Sequence, residues 1–327
     1  MLWLRRRRAD AAIASLGGGV VFVEAAALIV SHQVITVHLE HERVIRRVLK
    51  DGFDIDIVEY CLADYLLCCK DPLPSTFLHQ FNTQKYRTML SAVALLEDKG
   101  IIAKEQANMG RKTFLVRLTT YGEQLAKDAS ALVFDCMKST FWRNIPEDEI
   151  EHTMRYSTTA LENLKAAPLQ LYASDFETSK IHPYFFLDII YIIRRWKEVV
   201  AEASGLTLTA YRTLSLLESF GEMSPSDIAS TLCVEKSSVS ASKEALIERG
   251  YVVENEDGSD RRRLFLSCAD QGRTAARRLN DLVEKETKKY FSPVDAKTIN
   301  ILNAHHMRMY CEVRRLHAEH DPLAEPW

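Results

Sequence analysis

The sequence repeats itself at an interval of 150 residues, and this repeat constrains the fold more than any other feature. Sliding the chain by 150 positions superposes identical residues without a gap. The clearest pairs are Leu96 with Leu246, Gly100 with Gly250, Arg111 with Arg261, and Gly122 with Gly272. A repeat of this length holds a whole folding unit, so the 327 residues are expected to form two similar domains.

The repeat divides the chain into an N-terminal extension at 1–22, a first domain at 23–170 and a second at 171–327. In the extension, Arg5 to Arg8 precede an apolar run that reaches Val30. Glycines and Glu24 interrupt this run, and its apolar pattern continues beyond Val30. The pattern favours an extended first helix, or a start codon called too early, over a signal or membrane segment, which stays open as an alternative.

Each copy has the same predicted order of elements. A long amphipathic helix is followed by a second helix, two short helices around a turn, two short strands around a polar hairpin, and two long closing helices. Ser224 and Pro225 are typical of an N-cap and a first helical turn, and a later helix is expected to end before Gly250. The predicted fold class is mainly α with small β-hairpins (α+β), with two tandem winged helix-turn-helix domains between long flanking helices.

The second copy resembles the multiple-antibiotic-resistance regulator (MarR) family. The matching stretches are Ile228-Ala229, Val234 to Ser240, Leu246 to Val252, and Asp260-Arg261-Arg262 ahead of Gly272. Cys268-Ala269 occupy the place of the family's Leu-Thr, which is a departure at the end of a strand. The first copy resembles the family less closely, because it keeps Leu118-Thr119 and Gly122 but has Gly110 in place of the wing aspartate.

The resemblance implies a DNA-binding transcriptional regulator, with repression as the expected action. Two chains of this family normally dimerise through their first and last helices and place recognition helices in successive major grooves, about 10 bp apart. Because one chain here carries both copies, we expect an intramolecular pseudo-dimer bound to double-stranded DNA. Two unlike recognition helices imply an asymmetric operator.

The candidate DNA-binding residues lie at the start of each recognition helix and in each wing, where the family contacts bases and phosphates. In the second copy they are Lys236, Ser237, Ser238, Ser240, Lys243, Asp260, Arg261, Arg262 and Arg263. In the first copy they are Lys85, Tyr86, Arg87, Thr88, Arg111 and Lys112. The alternative for each recognition helix is a merely solvated polar face.

Other functional classes find little support in the sequence. Ser240 and Lys243 have the spacing of serine acyl enzymes but lack the companion motifs, so no enzyme is expected. No cofactor fingerprint is present, and the seven cysteines form no C-x-x-C pair, which indicates a reducing, cytoplasmic location rather than a metal cage. The pairs His38 with His41 and His317 with His320 are expected to be structural, and a redox role for Cys68-Cys69 stays open.

Two further alternatives concern apolar residues. Tyr184, Phe185, Phe186, Tyr191 and Trp196 are expected to join the two copies, although the family resemblance leaves a small aromatic effector open as a partner. Phe77, Phe81 and Met89 make the first helix-turn-helix weakly polar. They motivate the alternative of a protein-interaction module, in which one or both winged helices no longer bind DNA.

Overall fold

A computed structural model of the chain describes residues 32–67, 69, 71–80, 85–106, 113–150, 185–256, 264–290 and 296–319. The elements of the N-terminal half are α1 (His32–Phe53), α2 (Ile57–Leu67), β1 (Leu73–Pro74), a 3-10 helix (Ser75–Gln80), α3 (Tyr86–Asp98), β2 (Ile102–Gln106), β3 (Phe114–Leu118) and α4 (Thr120–Ser139). Those of the C-terminal half are α5 (Phe185–Ser204), α6 (Leu208–Phe220), α7 (Pro225–Leu232), α8 (Lys236–Glu248), β4 (Val252–Glu256), β5 (Leu264–Cys268), α9 (Asp270–Tyr290) and α10 (Ala296–Glu319).

The described residues form a mainly helical fold with small antiparallel sheets, as the sequence predicted. In the first half the strand order is β1-β3-β2, and in the second half β4 pairs with β5. An isolated bridge between Met223 and Leu266 adds the equivalent of β1 to the second sheet. It lies 150 residues after the pair formed by Leu73 and Val116.

The bounds of several elements also coincide after the 150-residue shift. Helix α3 then covers the same positions as α8, β2 the same as β4, and β3 the same as β5. The packing is repeated as well, since α2 contacts α3 and α4 in the first half and α6 contacts α8 and α9 in the second. The two halves therefore use the same local arrangement of helices around a hairpin.

The halves differ at the first helix of the helix-turn-helix. Helix α7 begins with Ser224 as its N-cap, whereas the corresponding segment of the first half is a 3-10 helix that follows Pro74. Proline has no side-chain acceptor for the free amides of a first turn, and Pro74 is part of β1. The first of the two short helices predicted for the first copy is therefore a 3-10 helix in the described residues.

One glycine in each half permits a close backbone approach. A Cβ atom on Gly122 would lie 1.9 Å from the carbonyl oxygen of Ile101, and one on Gly272 would lie 1.9 Å from that of Tyr251. These contacts seat the first turn of α4 and of α9 directly on the residue before each hairpin. Only glycine fits such an approach.

Helix α1 is the main link between the halves. It packs against α4 of its own half and against α10 and α5 of the other. Its His38 ring stacks on His306 of α10 at 5.2 Å and meets Trp196 of α5 edge-on at 5.1 Å. The first described helix of the chain is therefore joined to the last one through a buried aromatic core.

The aromatic cluster expected between the copies is described in part. Tyr191 and Trp196 are buried in the core, and the indole nitrogen of Trp196 donates to the Thr287 hydroxyl at 2.9 Å. Tyr184 and the side chains of Phe185 and Phe186 lie outside the described residues. Trp196 thus has the interface role that the sequence favoured.

Candidate nucleic-acid interface

The second helix-turn-helix is built by a capped helix, a tight turn and a second helix. The Ser224 hydroxyl accepts a hydrogen bond from the Asp227 amide at 3.1 Å, which confirms the predicted N-cap. Cys233 ends α7 in the left-handed conformation, with φ of 51°. This conformation reverses the chain, and α8 starts three residues later, at Lys236.

Packing fixes which face of α8 is exposed. Val239 and Leu246 of α8 are buried beside Ile228 and Leu232 of α7. Lys236, Ser237, Ser238 and Ser240 are exposed at the opposite side of the first turns. The structure therefore brings these predicted contacts together at a helix N-terminus, where free amides and the helix dipole favour an anion such as a phosphate.

The hydroxyls on this surface have weak local partners. Ser237 donates to the Glu235 carboxylate at 3.1 Å, and Ser240 donates to the Lys236 carbonyl at 3.1 Å. Both oxygens keep lone pairs that can accept, and both hydroxyls can rotate toward another acceptor. The surface is thus suited to hydrogen bonding with phosphates or base edges.

Lys243 is held in a different way from the serines. Its ammonium lies 2.7 Å from the Glu254 carboxylate of β4, so it joins the recognition helix to the wing. The sequence analysis missed Glu254, because a partner eleven residues away on a strand follows no helical spacing. A phosphate would have to replace this carboxylate as the partner of Lys243.

Helix α3 is the helix of the first half that corresponds to α8, and its first turn is also polar. Lys85, Arg87 and Thr88 are exposed and Tyr86 is half-buried. Phe77 and Met89 are buried, and the Phe77 ring stacks on Tyr65 at 5.7 Å. These two apolar residues are therefore part of the core, whereas Phe81 lies outside the described residues.

Both wings are described at their bases. The strands pair as far as Gln106 with Phe114 and Glu256 with Leu264. The tips lie outside the described residues, and with them the candidate contacts Arg111, Lys112, Asp260, Arg261, Arg262 and Arg263. The hairpins thus have the predicted positions directly after α3 and α8.

The structure also reveals a buried cation that the sequence analysis did not select. Arg212 of α6 is 1% exposed, and its Nη2 donates to the Leu232 carbonyl at 2.7 Å and to the Thr36 hydroxyl of α1. Its Nε and Nη1 have no hydrogen-bond partner within the described part of the chain. Burial lowers the pKa of Arg212 to about 10. The four-residue spacing with Leu208 and Leu216 was the available signal for its burial.

The described residues contain neither a metal-binding cluster nor a membrane-spanning helix. No group of three or more His, Cys, Asp or Glu side chains there is arranged to hold a metal ion. His38 and His41 instead bind backbone carbonyls of Val34 and Val37, at 2.8 and 2.7 Å. None of the described helices is both long and apolar enough to span a bilayer.

The comparisons with known proteins place a family match in the second half. The MarR family model matches residues 204–263, from the end of α5 through α8 to the second wing. That family consists of non-enzymatic transcriptional regulators. No curated protein matches the sequence.

Several solved structures are similar to part of the chain. The CouR protein of Rhodococcus jostii, bound to p-coumaroyl-CoA, is 21% identical with a TM-score of 0.33, over 37% of this chain and 85% of that one. A mutant MarR of E. coli complexed with operator DNA is 14% identical with a TM-score of 0.31, over 35% and 84%. The regulator BldR of Sulfolobus solfataricus is 20% identical with a TM-score of 0.30, over 31% and 73%. The family model alone shows one MarR-family winged helix-turn-helix region in this chain, at residues 204–263.

Proposed function

We propose that this protein is a transcriptional regulator that binds double-stranded DNA and acts as a repressor. The observation that carries the proposal is the exposed surface of Lys236, Ser237, Ser238 and Ser240 at the N-terminus of α8, within the region that matches the MarR family. A helix N-terminus lined by small hydroxyls and a lysine is suited to phosphates and base edges.

The two halves, at 23–170 and 171–327, act in this proposal as a pseudo-dimer within one chain. Three observations support the pseudo-dimer. The elements recur after 150 residues, the helices inside each half pack in the same way, and α1 of one half contacts α10 of the other. One chain would then present two recognition helices, α3 and α8. This arrangement replaces the second subunit that a regulator with a single copy requires.

The unlike surfaces of α3 and α8 imply an asymmetric operator. Lys85, the N-cap of α3, and Arg87 in its first turn can bind guanine edges, which present two acceptors in the major groove. The serines of α8 accept or donate and discriminate less. The first copy would therefore read the more specific half-site, provided that its wing binds DNA. Selection of bound sequences from a random DNA library should give two unlike half-sites, and a palindrome would contradict the asymmetry.

We further propose that a small aromatic carboxylate releases the DNA by binding at Arg212. Within the described residues, Glu40 is the one carboxylate whose charge acts on Arg212, and the Nε and Nη1 atoms of Arg212 stay unpaired. A buried guanidinium in this situation is costly, and an anion bound to it would offset that cost. Arg212 touches both α1 and the end of α7, so a ligand there would shift the helix-turn-helix relative to the other half. Thermal-shift assays with benzoate should show stabilisation that Arg212→Met abolishes, and equal stabilisation of both proteins would exclude this site.

The interaction-module alternative loses part of its support. It was motivated by apolar residues in the first helix-turn-helix, but Phe77 and Met89 are buried in the core. They offer no exposed apolar surface to a partner protein. The DNA-binding proposal is therefore the one that the described surfaces favour.

A charge change at the start of α8 tests DNA binding. Ser238→Glu places a carboxylate at the proposed phosphate contact, and it should weaken binding to the DNA upstream of the protein's own gene by at least about tenfold. The measurement is fluorescence anisotropy over a range of salt concentrations, on full-length protein.

The matched control is Ser219→Glu, which adds the same charge to an exposed serine of α6. It should change affinity less than about twofold, since it lies outside the proposed interface. Equal losses in both variants, or binding of the unaltered protein that does not weaken with salt, would contradict the proposal.

A further inference from the structure

We propose that Glu254 of β4 limits binding to DNA of arbitrary sequence, because it holds the Lys243 ammonium that would otherwise bind a phosphate. The Lys243 Nζ atom lies 2.7 Å from the Glu254 Oε1 atom, so the pair joins α8 to the base of the wing. This role rests on the DNA binding proposed for α8. It adds a residue that sets the difference in affinity between an operator and other DNA.

Lys243 lies on a face of α8 that starts at the proposed phosphate contacts. Lys236, Ser240 and Lys243 are spaced by four and three positions, which places them on one side of the helix. Lys243 is two turns, or about 10 Å, along the helix axis from Lys236. The major groove is about 12 Å wide, so a helix in it brings both lysines within reach of phosphates that border the same groove.

The carboxylate of Glu254 competes with DNA for this lysine. The residue that faces Glu254 across the hairpin is Leu266, which is buried and carries no charge. The side chains of Lys243 and Glu254 are 24% and 35% exposed, and an ion pair this close to solvent contributes little to stability. A negative charge beside the recognition helix nevertheless neutralises one cation and repels phosphates.

The first half places its charges the other way round at the same position. Lys104 of β2 lies 150 residues before Glu254, and it pairs with Glu97 in the last turn of α3. Lys104 also lies over the Phe114 ring, 5.5 Å from its centre. An ion pair thus joins helix and hairpin in both halves, and a carboxylate on the strand is not needed to make this connection.

The ion pair should affect DNA of arbitrary sequence more than an operator. Binding without sequence preference depends on contacts between cations and phosphates, and each contact adds about 0.9 to the slope of log affinity against log salt concentration. Lys243 contributes to this term only after a phosphate has displaced Glu254. An operator is also held by base contacts, which keep a phosphate beside Lys243. Glu254 therefore widens the gap between the two affinities.

Glu254→Gln tests this role, because it removes the charge and keeps the shape of the side chain. Binding of the full-length protein to a duplex of random sequence is measured by fluorescence anisotropy over a range of salt concentrations. We expect about tenfold tighter binding at 50 mM salt, and a salt slope that is steeper by about 0.9. Unchanged affinity and slope would overturn the proposal.

A double-mutant cycle shows whether Glu254 acts through Lys243. Lys243→Gln should weaken binding to the random duplex at least about threefold more in the Glu254→Gln protein than in the unaltered protein, because only the freed lysine contacts a phosphate without competition. Equal factors in both backgrounds would show that Glu254 does not act on Lys243, and would refute the proposal.

The matched control is Glu284→Gln on α9. Glu284 also pairs with a lysine, Lys288 at 2.5 Å, and its side chain is 38% exposed. The variant frees a cation outside the proposed interface, so it should change affinity less than about twofold. A gain equal to that of Glu254→Gln would trace the effect to net charge and contradict the proposal. Circular dichroism confirms that the variants fold.

The same titrations separate this role from DNA binding itself. If the unaltered protein and every variant fail to bind DNA in a salt-dependent way, both the DNA-binding proposal and the role of Glu254 are wrong. If the unaltered protein binds with salt dependence and Glu254→Gln leaves the affinity and slope unchanged, only the role of Glu254 is wrong.

Discussion

At the scale of single residues, one close backbone approach recurs in both halves. Gly122 and Gly272 sit against backbone carbonyls with no room for a side chain. Both glycines stand out in the sequence because they recur at the repeat interval. The structure adds the physical reason, which is a first helical turn seated directly on the chain before the hairpin.

Gly272→Ala should destabilise the second half strongly. Its Cβ would lie 1.9 Å from the Tyr251 oxygen, and because that atom belongs to the backbone, α9 would have to move. We expect a loss of about 3 kcal/mol or more in the free energy of unfolding, measured by urea denaturation.

Gly52→Ala is the matched control, because its Cβ would meet only the end of the Leu132 side chain, at 3.3 Å. It should change the free energy by less than about 1 kcal/mol. A small loss for Gly272→Ala would show that α9 does not depend on this contact.

Some residue roles could be predicted from the sequence and others could not. The Ser224 cap was predictable, because a capping motif is local and needs only a few neighbouring residues. Arg212 was not selected, because its environment is made by α1 and α7, which the chain brings together from distant positions. The pairing of Lys243 with Glu254 depends in the same way on how the hairpin folds back on α8.

At the scale of elements, one capping residue separates a regular α-helix from a 3-10 helix. Helix α7 has Ser224 as its N-cap and Pro225 in its first turn, whereas the 3-10 helix of the first half follows Pro74. The repeat predicted two equivalent elements here. Both copies have a short helix at this place, but Pro74 offers no side-chain acceptor for first-turn amides, whereas Ser224 does.

Ser224→Ala should therefore weaken α7. Loss of the hydrogen bond to the Asp227 amide is expected to lower the free energy of unfolding by about 1 kcal/mol, and urea denaturation measures it. Ser226→Ala, at an exposed position in the same helix, should have a smaller effect. If the two variants lose equal stability, the cap does not stabilise α7.

At the scale of the whole molecule, the junction of the halves is built around neutral histidines. Burial lowers the pKa of His41 to about 3 and of His306 to about 4, and it lowers the pKa of His38 well below its usual value. In the unfolded chain the same side chains titrate near 6.5. The unfolded state therefore binds more protons than the folded state once the pH falls below about 6.5.

Stability should decrease as the pH falls from about 6.5 toward 4. Each of these histidines contributes about 1.4 kcal/mol per pH unit to the slope in that range, and their contribution is fully present above pH 6.5. The measurement is urea denaturation at a series of pH values. His306→Phe keeps a ring but removes one titrating group. The slope of its free energy of unfolding against pH should therefore be smaller by about 1.4 kcal/mol per pH unit. An unchanged slope would mean that His306 is not held neutral in the folded protein.

The repeat predicted that the molecule consists of two similar halves, one after the other along the chain. It could do so because both copies keep the same spacing of helices and strands. The contacts between the two halves could not be predicted from the sequence. The stacking of His38 on His306 and the contacts of Arg212 with α1 and α7 join residues far apart in the chain. No local pattern marks such pairs, so only the structure could assign them.

The central claim is that one chain supplies both recognition helices to one operator. The most direct test is the mass of the complex with its operator, measured by light scattering during size-exclusion chromatography. We predict one 37.3 kDa chain per DNA duplex, with two adjacent major grooves protected in a footprint. Two chains per duplex would contradict the account.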